Sequence, residues 1–245
     1  MKEPGKRTSR QKEAAKMRER ALWFSAYRII VGLFTARPKF VYLGDEVSEP
    51  SVILSNHEAA SGPLTWERYF NSPKKFWVTH EMTDGMRSVF RYLAYRYFPD
   101  KKHLPKVLSV IFAFVATPFV SLYYSGLKPI ATSRNAGGFI RTIHESRLAL
   151  DKGESVVLFP EDSSNGYKER LQSIHSGFAV FCERMFRKGR DLNIVLAYFS
   201  KKTHTIYIDS PIRYSEFKNR FGDIKLISEA VLKRINELGD IAEGA

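Results

Sequence analysis

Two short segments carry the residues most able to do chemistry. The apolar run Ser51 to Ser55 ends in Asn56-His57-Glu58, and the run Ser155 to Phe159 ends in Pro160-Glu161-Asp162-Ser163-Ser164. If both runs are strands of an α/β sheet, an imidazole and a group of carboxylates emerge at strand carboxyl ends, where such sheets collect their ligands. A histidine there can take and return protons near neutral pH, and a carboxylate beside it can hold the ring in one tautomer and offset its charge. Glu58, Glu161 and Asp162 are the carboxylates at hand, and the Ser163 and Ser164 hydroxyls can hold polar substrate groups. The plainer alternatives are a structural histidine and a solvated turn, the latter favoured by Asn165-Gly166. Three His-Glu pairs begin at His57, His80 and His144, but the zinc-hydrolase helix motif needs a second histidine four positions on. Those positions hold Ser61, Asp84 and Leu148, so no metal is expected.

The elements that position these residues follow from pattern. Ser51 to Ser55, Phe76 to Thr79, Ser155 to Phe159, Asn193 to Tyr198 and His204 to Ile208 read as short strands. Asp84 to Tyr97, Ala136 to Asp151, Leu171 to Lys188 and Ile224 to Leu238 have helical spacing. Their alternation predicts an α/β fold with a mixed, largely parallel sheet flanked by helices. Val107 to Leu127 carries no charge in 21 residues but holds Pro118, so a buried or membrane-dipping hairpin is expected over a bilayer span, with a core helix and strand as the alternative. No dinucleotide glycine fingerprint or P-loop is present.

Charge narrows the partners. The chain has 39 Lys and Arg against 26 Asp and Glu, a net charge of +13 that calls for an anionic partner. The first 20 residues hold eight Lys or Arg and three Glu, and the aromatic-headed apolar stretch Ala21 to Phe34 follows. A basic arm feeding such a helix predicts an N-terminal membrane-docking segment over 1–40, ahead of an α/β domain over 41–245. Packing of that helix on its own domain is the alternative. Arginines and aromatics alternate between Arg87 and Tyr97, which suits a cationic membrane or acyl-carrier surface as well as nucleic acid, and nucleic acid is not expected. Cys182 is the single cysteine, which excludes an intramolecular disulfide and fits a reducing compartment.

In order and spacing, Asn56-His57-Glu58-Ala59-Ala60-Ser61-Gly62, Phe76 to Met82, Lys128 to Arg134, Lys152 to Ser164 and Asp209-Ser210-Pro211-Ile212 resemble the motifs of the glycerophospholipid acyltransferase family, lysophosphatidate type. The likeness covers Ser51 to Ile212 and marks a divergent member. The family's Asp five residues after the histidine is Gly62 here, its Gly in the third motif is Asp162, and its Thr-Arg is Ser163-Ser164. The resemblance implies transfer of a fatty acyl group from acyl-CoA or acyl carrier protein to the hydroxyl of a lysophospholipid such as 1-acylglycerol-3-phosphate. His57 would be the general base and Asp162, or else Glu58, its orienting carboxylate. Asn56, Arg134, Glu161, Ser163 and Ser164 would bind substrate, with Arg134 on the acceptor phosphate. No cofactor is implied, and the expected place is the cytoplasmic side of a membrane, peripheral or monotopic. The alternative is a lipid-binding relative with weak or no catalysis.

Overall fold

A computed structural model describes residues 22–32, 35–59, 61–133, 135–163 and 166–244. The basic arm over 1–20, Arg134 and Ser164 lie outside these residues. Eight strands form one sheet in the order β1, β7, β6, β2, β5, β3, β4, with β8 also on β6. They are β1 (Lys39–Tyr42), β2 (Val52–Ser55), β3 (Lys74–Thr79), β4 (Ile130–Thr132), β5 (Ser155–Leu158), β6 (Asn193–Ser200), β7 (Thr205–Ile208) and β8 (Ile212–Arg213). β4, β3, β5, β2 and β6 run parallel, whereas β7 and β8 pair antiparallel with β6. The sheet is therefore mixed and mostly parallel, as its alternation with helices predicts.

The strand sequences are apolar on both sides because both faces of the sheet are covered. Alternate residues point opposite ways. Val52 and Leu54, Val156 and Leu158, and Ile194, Leu196 and Tyr198 enter one core. Ile53, Val157, Val195, Ala197 and Phe199 enter the other. The first core is roofed by helices α5 (Ala136–Asp151), α6 (Gly177–Phe186), α7 (Tyr214–Phe221) and α8 (Ile224–Glu243). α8 supplies Ile227, Val231, Ile235 and Leu238 at helical spacing, and burying each is worth roughly 2 kcal/mol. The second core takes Trp66 from α2 (Ser61–Tyr69) and Phe24 from α1 (Leu22–Gly32), so α1 packs on its own fold through that ring.

Several expected elements are redrawn by tertiary contacts. α6 starts at Gly177 rather than near Leu171, because the preceding chain doubles back on the end of β5. Asp162 N–H donates to Ser173 O at 3.0 Å and His175 N–H to Pro160 O at 2.7 Å. The stretch expected as a helix over 84–97 begins as α3 (Met86–Tyr92) after Gly85, whose φ of 86° sets the turn, and continues as a π-helical segment over Leu93–Lys101. Pro99 lies inside that segment, where its missing N–H is incompatible with regular α-helical bonding. The uncharged run is neither a hairpin nor a helix and strand. It forms one helix, α4 (Lys106–Leu127), and most of its surface is exposed. α2, the short β1 and β8, and α7 were not expected, although Tyr214, Phe217 and Phe221 of α7 have helical spacing.

Candidate functional site

Because β2 and β5 are parallel neighbours, the two chemistry-bearing segments leave the sheet side by side. Glu161 Oε2 accepts the backbone N–H of His57 at 3.3 Å, and its Oε1 accepts that of Lys168 at 3.4 Å. The carboxylate is buried and ties both loops together. Burial raises its pKa, and the two N–H bonds oppose that shift. Glu161, expected as a substrate ligand, therefore has both oxygens engaged by backbone.

The His57 ring lies against the Tyr167 ring, centroids 4.7 Å apart, with Phe159 edge-on at 5.1 Å. Its Nδ1 is buried with no hydrogen-bond partner. Burial, with the nearby Lys101 charge adding to it, pushes its pKa down to about 4, while backbone carbonyls of Ala59 and His57 work the other way. The ring is thus neutral at pH 7.

Neither expected orienting carboxylate is bonded to that ring. Asp162 Oδ1 faces His175 Nε2 at 3.9 Å instead, because the backbone pairing of Asp162 with Ser173 turns its side chain along the hairpin. Glu58 and Ala59 are both left-handed, with φ of 43° and 54°, a costly geometry for side-chain-bearing residues that reverses the chain after the imidazole. Glu58 lines a neighbouring cavity, where burial and repulsion from Glu169 and Glu243 raise its pKa against the pull of Lys201. Gly62 has a steric reason: a Cβ there would sit 2.3 Å from the His57 carbonyl oxygen. The start of α2 packs too closely on the histidine backbone for any larger residue.

Asn56, expected among the substrate groups, is a buried strut. Its Nδ2 donates to Phe199 O at 2.9 Å and its Oδ1 accepts Phe199 N–H at 2.7 Å, which extends the β2 to β6 pairing past Ser55. Ser163 is at the site, with its Oγ accepting from Lys101 Nζ at 2.6 Å. Lys101 also donates to Tyr167 Oη at 3.3 Å. Burial lowers the Lys101 pKa, and Glu161, Asp162 and Asp100 oppose this.

Lys101 and Tyr167 were not expected. Nothing in the local sequence marks Lys101, which reaches Ser163 and Tyr167 from the end of the π-helical segment. A cavity of about 610 Å³ opens beside Glu58 and is lined by Lys101, Tyr167, Lys201, Lys202 and Glu243 among others. Lys201 and Lys202 come from the turn between β6 and β7, at the same sheet edge. The site therefore combines a neutral imidazole in an aromatic cradle with lysines around its mouth. Glu58, Glu169 and Glu243 share that lining with the lysines, so the cavity wall is polar and carries both signs of charge.

No family model matches the chain, and no curated protein does. Among solved structures, the crystal structure of the 1-acyl-sn-glycerophosphate (LPA) acyltransferase PlsC from Thermotoga maritima is similar. The match covers 94% of this chain and 78% of that one, at 14% identity and a TM-score of 0.45.

Proposed function

We propose that the protein is an acyltransferase that moves a fatty acyl group from an acyl thioester to the hydroxyl of a lysophospholipid, 1-acylglycerol-3-phosphate being the favoured acceptor. One observation carries this reading: His57 and the Glu161 loop, 104 residues apart, meet at the carboxyl edge of the sheet and are tied by the Glu161 to His57 N–H bond. Two of the segments that resemble acyltransferase motifs are thereby neighbours in space. In the proposed reaction neutral His57 takes the acceptor hydroxyl proton as that oxygen attacks the thioester carbonyl. The carbon–sulfur bond breaks, the ester forms, and the imidazolium returns its proton to the departing thiolate. Arg134 is the proposed partner of the acceptor phosphate. Lys101 adds a cation held by Ser163, and the acceptor comes from a membrane lipid surface.

A second reading is favoured by the unpartnered Nδ1: a lipid-binding relative with little turnover. Without a carboxylate to hold the tautomer, a histidine base in a catalytic triad loses about 10⁴ in rate. Radiolabelled acyl-CoA and acyl carrier protein, each tested against a panel of lysophospholipids, separate the two. The acyltransferase reading expects labelled phospholipid that His57→Ala abolishes in a folded protein. Binding of lysophospholipid with no product from either donor would establish the second reading.

A further inference from the structure

The geometry points to α4 as an in-plane bilayer-inserting helix that sets the mouth of the site, at Lys101 and Lys102, level with the lipid headgroups. This deepens the proposed function by saying how a lipid acceptor reaches the site, and it rests on that reading only for what enters.

α4 is 22 residues long, roughly 33 Å at 1.5 Å per residue, and its most apolar window has a mean hydropathy of 1.9 with 17% of its residues buried. The exposed side chains are large and apolar: Val107 is 72% exposed, Phe114 77%, and Val115 and Phe119 59% each. With Ile111 and Leu122 they cover a broad stripe running the length of the helix, a contiguous apolar surface of a kind that marks an interaction site.

The charge around this stripe selects lipid as its occupant. The helix contains no charged residue after Lys106, and exposed Lys106 and Lys128 bracket it. The segment that packs on α4 and leads into it, from Asp84 to Lys128, holds seven Lys or Arg (87, 91, 96, 101, 102, 106, 128) against two Asp (84, 100), a net charge of +5 in the chain next to the apolar face. An exposed apolar stripe with a lysine at each end fits an anionic leaflet, the apolar chains entering the acyl boundary and the lysines staying among headgroups.

The attachment of α4 to its neighbours argues for lying in the interface over spanning. The small residues Ser109, Ala113 and Thr117, four apart, are buried and let the helix lie close to its neighbours. Ala113, Ala116 and Val120 pack with Val89, Leu93 and Ala94 of α3 and the π-helical segment, and Leu127 joins the core beneath the sheet. A helix held along its length by a charged α/β body cannot thread through hydrocarbon without dragging that body in. Lys101 lies five residues before Lys106, so the amino end of α4 starts at the mouth of the cavity that Lys101 and Lys102 line.

The test uses the full chain with vesicles of mixed phosphatidylcholine and phosphatidylglycerol. Phe114→Glu combined with Phe119→Glu should weaken sedimentation with vesicles at least about tenfold, whereas Leu226→Glu, at an exposed leucine on α8, should leave it unchanged. Fluorophores attached singly after Val107→Cys, Val115→Cys or Leu122→Cys should be quenched by brominated lipids at one common shallow depth. A maximum at Val115 with shallow ends would show a span and overturn the proposal. Unchanged sedimentation of the Phe114, Phe119 variant would do the same. So would a lipid-free dimer that the Phe114, Phe119 change dissociates, because a second copy would then be the occupant. None of these readouts needs turnover, so an inactive protein that inserts through α4 would refute the acyltransferase reading and leave this inference standing.

Discussion

His57 behaves as an imidazole shielded from protons, and this has a measurable sign. Its pKa in the folded chain is about 4 and that of a free histidine about 6.5, so the unfolded chain binds the extra proton as pH falls through that window. Stability should therefore be full above about pH 6.5 and drop towards pH 4, by at most about 3 kcal/mol. Denaturant melts should show the wild type losing stability from pH 6.5 to pH 4, and His57→Asn, with no ring to protonate, should lack that drop if burial of the neutral ring is the cause. Turnover, if His57 is the base, should be flat from pH 6 to 8 and fall on an acid limb near 4, in place of the limb near 6.5 of an exposed histidine. Gly62 gives a second expectation, since any Cβ meets the His57 carbonyl oxygen at 2.3 Å. Gly62→Ala should lower the melting temperature and disturb the imidazole together, at about 1–3 kcal/mol for overpacking. Gly62→Asp should be destabilising in the same way, because the backbone of this chain has closed over the position. A Gly62→Ala protein with wild-type melting would show that α2 can move away.

Among the elements, β2 decides whether the site exists. It is buried on both faces between β5 and β6, and Asn56 carries its pairing with β6 past the last strand residue. Asn56→Ala would leave the Phe199 N–H and C=O buried without partners, at about 1–2 kcal/mol each, so a loss of about 2–4 kcal/mol is expected. If Asn56 acted on substrate instead, its removal would raise KM at unchanged stability, and urea melts beside kinetics distinguish the two outcomes. The helices show why local pattern misplaces some boundaries. α8 has an apolar stripe and a capping Asp223, whose side chain accepts the Lys225 N–H, so its start is legible, but it runs through Gly239 to Glu243 where the pattern stops it at Leu238. α6 was extended too far because Leu171 and Ile174 have helical spacing, yet they are buried or packed from an irregular segment that pairs with the end of β5. In α4 the same apolar residues fit a core helix, a hairpin or a membrane surface. Composition records how apolar a segment is and not what lies beside it.

Across the fold, helices α6 and α7 are joined by a polar knot at the buried Glu183. It accepts from Lys218 Nζ at 2.8 Å, Arg187 Nε at 2.6 Å and Tyr214 Oη at 2.9 Å. The Lys218 bond, then those from Arg187 and Tyr214, hold its pKa down to about 2 from 4.5, so the stability it adds is present above about pH 4.5 and lost as pH falls towards 2. Glu183→Gln should cost about 2 kcal/mol at pH 7 and much less near pH 2, read by melts at the two ends. An equal loss at both would show that packing, not charge, matters there. The sheet class, the strand cores, the placement of His57 and Glu161 at strand ends, and the basic character of the surface were all legible in residue order, because alternation, apolar runs and charge are local properties. The neighbours of the imidazole were not. Lys101 arrives through a π-helical segment, Glu161 turns to backbone, and Asp162 is drawn to Ser173 and His175. Those contacts depend on strand order and on how the helices pack against one another. They bring together groups such as Lys101 and Ser163, 62 residues apart, through packing that no window of sequence contains.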